Sequence, residues 1–267
     1  MLFLTLLVCS SANLLKSQEP AFRLQYELPL AARDIRVDGL QNLYVLTSPF
    51  ELKKYDRNGK LLFFFSNTNY GPITAFDPGN PMNILVYHRD FQIIEVLDRS
   101  LSVIGTMDLT VWGYQDVPLI AHAQDDLTWI YDNEAARIKK IDARGFEINI
   151  SVNLAAEFGI ENPAFLLACN NYLILADSVK GLFVFDNYAQ FYRKIAVSGI
   201  HKVQCVNSRI FYYRQGKIHV IDPRTLLSGE IALPDTEELQ DALWQAPFLY
   251  LRKSKSIAVF KKQEKGR

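Results

Sequence analysis

The sequence predicts an all-β fold: a six-bladed β-propeller built of four-stranded antiparallel blades. Three observations predict it. An apolar residue followed by Asp and a turn recurs at Tyr55-Asp56, Leu97-Asp98, Ile141-Asp142, Phe185-Asp186 and Ile221-Asp222, with a period of about 41 residues. Each period carries four short runs rich in aromatic and β-branched residues, the form of successive strands. No helical periodicity of about ten residues or more separates these runs, which excludes alternating strands and helices.

The elements follow in order along each period, as strands a, b, c and d. Strands a are DIRVD, ITAFD, LIAHA, AFLLAC, KVQCV and DALWQ. Strands b are NLYVLT, NILVYH, LTWIYD, YLILAD, IFYYR and FLYLR. Strands c end on the recurring Asp: ELKKYD, QIIEVLD, RIKKID, GLFVFD and KIHVID. The turns that follow, DRNG, DRSL, DARG, DNYA and DPRT, suit Asp at their first position, where its carboxylate bonds to its own turn. Strands d then read KLLFFFS, VIGTMDL, EINISVNL, YRKIAVS and SGEIALP. Phe63, Phe64 and Phe65 fall in the first of these and are expected to pack against the next blade. Leu154 to Gly159 reads as one short helical turn. The sixth unit has only a, b and c. The segment Phe22 to Leu30 alternates like a strand d and belongs to no unit of its own, so it is expected to complete the last blade and close the ring. Closure removes exposed strand edges.

The first residues read as an address. Leu2 to Cys9 is a short apolar run followed by small residues and then KSQEP, the pattern of a secretory signal, although no Lys or Arg precedes it. The expected organisation is a signal peptide over 1–18 and one propeller domain over 19–267. Localisation is therefore expected to be exported: periplasmic, associated with the cell envelope, or extracellular. Cys9 is a candidate for lipidation. No later stretch is long and apolar enough for a transmembrane segment. Cys169 and Cys205 lie in apolar strands and read best as two buried thiols, while export would permit a disulfide between them.

The chain has 29 Lys+Arg against 29 Asp+Glu, so no nucleic-acid partner is expected. Nearly half its residues are hydrophobic, enough for a large core.

The unit from Asp34 to Leu62, with NLYVLT and then ELKKYDRNGKLL, resembles the NHL repeat, and Thr128 to Gly145 is a weaker copy. The whole chain is similar to secreted six-bladed propellers of Bacteroidetes. Both resemblances imply the fold, and fold alone assigns no chemistry.

His88, His122, His201 and His219 match no local metal motif, and HExxH, GxSxG, Walker A and GxGxxG are absent. No cofactor and no catalytic residue is expected. The repeat makes the last residues of strands b equivalent: Thr47, His88, Asp132, Asp177, Arg214 and Arg252. They are expected to ring one end of the channel, unless each Asp simply caps its own turn. Tyr70, Trp112 and Tyr114, in connections from d to a, are expected on the same face as candidate binding anchors. The function read from this pattern is an exported, non-enzymatic binding or scaffold module that holds a protein, peptide or small polar ligand, with envelope association as a possible setting. The alternative is a calcium-dependent hydrolase or lyase resembling the six-bladed lactonases, which needs converging oxygen ligands.

Overall fold

The computed structural model describes residues 21–47, 51–161, 163–200 and 202–263. The expected signal segment with Cys9, and His201, lie outside the described residues.

Among the described residues, twenty-four strands form six four-stranded sheets. Blade 1 comprises β2 (Asp34–Val37), β3 (Leu43–Thr47), β4 (Glu51–Tyr55) and β5 (Leu61–Ser66). Blade 2 comprises β6 (Ala75–Asp77), β7 (Ile84–His88), β8 (Ile93–Leu97) and β9 (Val103–Asp108). Blade 3 comprises β10 (Leu119–His122), β11 (Thr128–Asp132), β12 (Arg137–Ile141) and β13 (Glu147–Ile150). Blade 4 comprises β14 (Phe165–Cys169), β15 (Tyr172–Asp177), β16 (Gly181–Asp186) and β17 (Phe191–Ile195). Blade 5 comprises β18 (Gln204–Val206), β19 (Arg209–Arg214), β20 (Lys217–Ile221) and β21 (Ser228–Ala232). Blade 6 comprises β22 (Leu239–Gln245), β23 (Phe248–Lys253) and β24 (Ile257–Lys262), and its outermost strand is β1 (Phe22–Leu28). β1 pairs antiparallel with β24, from Phe22 opposite Lys262 to Leu28 opposite Ile257. The expected closure is therefore the observed one. Between blades 3 and 4, α1 (Leu154–Phe158) is capped by Asn153, whose side chain accepts from Ala156 N.

The recurring Asp has a local cause. Oδ1 of Asp56, Asp98, Asp142 and Asp186 accepts backbone N–H groups two and four residues ahead, at 2.8–3.0 Å. Asp222 Oδ1 accepts instead from the N–H groups two and three residues ahead, of Arg224 and Thr225. One carboxylate thus satisfies two backbone donors at each c–d turn, which explains why this position of the repeat keeps Asp.

The core is divided into six clusters, one between each pair of neighbouring blades. Side chains alternate along a strand, so each blade feeds both interfaces. In β3, Tyr44 and Leu46 pack toward blade 2, while Leu43 and Val45 pack toward blade 6. Strands b are therefore continuous apolar runs with no polar face. Each fully buried large apolar side chain contributes roughly 1.5–3 kcal/mol. Strands d are half-solvated: Phe65 is buried against blade 2, but Phe63 and Phe64 are exposed, contrary to the packing expected for all three.

Cys169 and Cys205 are joined by a disulfide, with Cα atoms 5.3 Å apart. The reading of two separate thiols is thus overturned. Their separation of 36 residues is close to one repeat, so the ring brings β14 and β18, adjacent inner strands, side by side. Among the described residues, no helix is long and apolar enough to cross a membrane.

Candidate functional site

Strands a surround the axis, and antiparallel order puts the a–b turns of all six blades at one mouth of the channel. A cavity of about 570 Å³ opens there. Its wall takes Asp38 from blade 1, Asn80 from blade 2, Gln124 from blade 3, Asn170 from blade 4, Asn207 from blade 5 and Gln245 from blade 6. Arg36, Lys202, Gln204, Leu167 and Cys205 line it more deeply, so the disulfide forms part of the wall.

Most of the charged groups here are already satisfied within the protein. Lys202 Nζ donates to Asp34 Oδ1 at 2.5 Å, Ile35 O at 2.7 Å and Asp241 Oδ2 at 2.8 Å, tying blades 5, 1 and 6 together. Burial works to raise the Asp34 carboxyl, but Lys202 and Arg36 outweigh it and hold the group below the ordinary carboxylate value. Asp77 accepts from Gly79 N at 2.9 Å and from His122 N, in the next blade, at 2.8 Å. Asp38 accepts from Leu40 N, Asn42 N, Asn42 Nδ2 and the Tyr44 hydroxyl. Burial and the Asp38 charge push the Tyr44 hydroxyl far up, so it stays protonated as a donor.

Arg36 is different. Its guanidinium lies over the ring of Phe165 at 4.6 Å, in the opposite blade, and near that of Phe76 at 5.5 Å. Only Nε has a protein acceptor among the described residues, Asp34 Oδ2 at 3.4 Å.

The residues singled out from sequence stand elsewhere, and none of them lines this cavity. The ends of strands b lie at the other end of their strands from the a–b turns. Thr47 donates to Glu51 O at 3.1 Å within its own blade. His88 is wholly buried: Nδ1 donates to Gly71 O at 3.1 Å, and Nε2 is 3.0 Å from Glu95 Oε2. Asn67 completes that pair by donating to Glu95 Oε1 at 2.8 Å. Asp132 binds Lys139 at 2.9 Å and accepts from Ala135 N. Asp177 caps its own turn through Val179 N and Lys180 N. Arg252 donates to Ala32 O and Gln240, and Arg214 is half-buried at the β19–β20 turn. Tyr70 meets His88 edge-on at 5.8 Å. Tyr114 is buried, with its hydroxyl donating to Glu147 at 3.0 Å, and Trp112 packs at the interface of blades 2 and 3 against Gly145. The structure brings together Tyr70 with His88, and Trp112 with Tyr114, but not the nine as one constellation.

Sequence reasoning missed Arg36, Lys202 and Gln204. Their signal was faint: Arg36 and Gln204 are single polar residues of short inner strands, Lys202 stands just before one, and nothing local in the chain marks which of them face the channel.

The structure is similar to several solved propellers. The WD40 domain of Pan2 from Neurospora crassa aligns with a TM-score of 0.62 at 11% identity, covering 92% of this chain and 97% of that one. Virginiamycin B lyase from Staphylococcus aureus aligns with a TM-score of 0.57 at 10% identity, covering 85% of this chain and 79% of that one. A streptogramin B lyase gives 0.55 at 14% identity, covering 86% and 78%. At such identities the likeness shows the fold alone. No family model matches the sequence, and no curated protein does.

Proposed function

We propose that this protein is an exported binding module that takes a small polar ligand into the channel mouth formed by its six a–b turns. One observation carries the reading: a cavity of about 570 Å³ walled by residues of every blade, with amide side chains at the rim and a cation at depth. A cavity of that size suits a small molecule. The Cys169–Cys205 bridge supports an oxidising, exported setting. The NHL-like unit from Asp34 to Leu62 supports kinship with propellers of that type, which likewise belongs to this proposal. The structural neighbours include both a lyase and a WD40 domain, so the scaffold itself is neutral between catalysis and binding. The calcium-dependent alternative asks for converging oxygen ligands. Among the described residues no three His, Cys, Asp or Glu side chains gather in that way.

The test is a thermal-shift screen of small polar molecules against the oxidised protein and a Leu167→Trp variant, which fills the cavity from its wall. Ligands of the cavity raise the midpoint of the native protein and leave the variant unmoved. Compounds that stabilise both equally, with none that separates them, refute the location.

A further inference from the structure

One place in the repeat is used differently in blade 1. Arg36 stands opposite Tyr44, Asp77 opposite Leu85, and Gln204 opposite Phe211. Those three partners each stand three residues before the last residue of their strand b, so Arg36, Asp77 and Gln204 occupy the same position in three blades. In blades 2 and 5 the position holds an acceptor that ties the ring to the next blade. Asp77 Oδ2 accepts from His122 N at 2.8 Å, and Gln204 Oε1 accepts from Trp244 N at 2.9 Å. Arginine has no acceptor to offer, so Arg36 cannot do this work.

Its guanidinium is instead held between aromatic rings at the depth of the cavity, with its side chain only 14% exposed. Apart from the long contact of Nε with Asp34, its N–H groups reach no acceptor among the described residues. A fixed guanidinium with free terminal N–H groups matches a carboxylate, which accepts two parallel hydrogen bonds. Gln204 adds a second donor. Because its Oε1 is committed to Trp244 N, its amide NH₂ is left as a donor, and it too has no acceptor among the described residues.

We propose that the cavity selects a small organic acid, whose carboxylate is gripped by Arg36 and also met by the Gln204 amide. The proposal rests on the cavity reading above and deepens it. The carboxylates of the wall favour a monoanion over a dianion. Lys202 is already shared by Asp34 and Asp241, and Asp77 and Asp38 add negative charge to the wall. Arg36 also pairs through Nε with Asp34, so what it has left to offer is its terminal N–H groups rather than a surplus charge, and beside these carboxylates a phosphate dianion meets more repulsion than a singly charged carboxylate. The remainder of the ligand faces Gln124, Asn207 and Gln245, which suits hydroxyl or amide groups.

Isothermal titration calorimetry on the oxidised protein tests this with matched probes: galacturonic acid against galactose, N-acetylglycine against N-acetylglycinamide, and inorganic phosphate. At least one acid binds saturably, about tenfold or more tighter than its neutral partner and tighter than phosphate. Which pair shows the preference separates a sugar acid from an acylated amino acid. Arg36→Lys, which keeps the charge and stem but loses the fork, weakens the acid about tenfold, and Arg36→Met removes the preference for acid over neutral. The matched-pair comparison needs no variant, so it stands even if a substitution impairs folding. Equal binding of acid and neutral partner, tighter binding of phosphate, or folded Arg36 variants that bind like the native protein overturn the carboxylate assignment and leave the cavity reading intact. Failure of both acids to bind overturns the assignment too. If the Leu167→Trp screen also separates no compound, the cavity reading falls with it.

Discussion

Breaking the bridge between Cys169 and Cys205 should cost about 4 kcal/mol. The bond closes a loop of 36 residues across the junction of blades 4 and 5. In the chain-entropy treatment, a loop of that length removes roughly 13 cal/mol/K from the unfolded ensemble, or about 4 kcal/mol at room temperature. A domain has in all about 5–15 kcal/mol to lose. The expected result is a marked fall in the guanidinium midpoint on reduction, followed by tryptophan fluorescence. Reduction leaves both sulfurs in place and isolates the constraint. The double variant Cys169→Ala, Cys205→Ala should cost somewhat more, because Cys169 is fully buried in the cluster between the two blades. Coincident curves for the oxidised and reduced protein would refute the reasoning. So would full alkylation of both cysteines in unreduced, unfolded protein, since the bond would then be absent.

Three further outcomes are expected. The turn carboxyl of Asp98 is held low by the Ser100 hydroxyl and by backbone N–H groups, and that of Asp222 by the N–H groups of Thr225 and Arg224. Asp34 is held low against its burial by Lys202 and Arg36. Folded values below the unfolded ones stabilise the protein above the unfolded pKa and lose that effect as pH falls through the folded values. The melting temperature should therefore be level from about pH 7 to 5 and drop below about pH 4, less steeply in Asp98→Asn and Asp222→Asn; a drop centred near pH 6 would contradict this. Gly145→Ala should lower stability by about 1–3 kcal/mol in chemical denaturation, because Gly145 has φ +81° and a Cβ there would lie 2.2 Å from the Trp112 ring. Lys202→Met should cost a similar amount, about 1–3 kcal/mol, by stranding Asp34 and Asp241, and an unchanged midpoint would show that the two carboxylates are satisfied without it.

Much of the architecture was legible because its causes are local. Asp56 and its four counterparts bond within their own turns, so the period shows in the chain itself. The apolar runs of strands b are legible because both their faces are buried whatever the ring size. The closing strand was legible by elimination, since Phe22 to Leu28 had no unit of its own.

The site was less legible. Equivalence under the repeat marks positions at both ends of every strand, and nothing in one unit says which mouth of the channel holds room for a ligand. That depends on where side chains from different blades turn. His88 and Asp132 are drawn into their own blades by Glu95 and Lys139. Trp112 looked like a free loop aromatic and is an inter-blade packing group.

The chain by itself thus determined the strands, their number and the manner of closure, because hydrogen bonds within turns and the two-residue alternation of strands act over a few residues. Only the assembled ring decided that two cysteines 36 residues apart are bonded, that one lysine ties three blades together, and that Arg36 meets the opposite blade. Those are contacts between inner strands set around a common axis, and their distances are fixed by ring geometry rather than by separation along the chain.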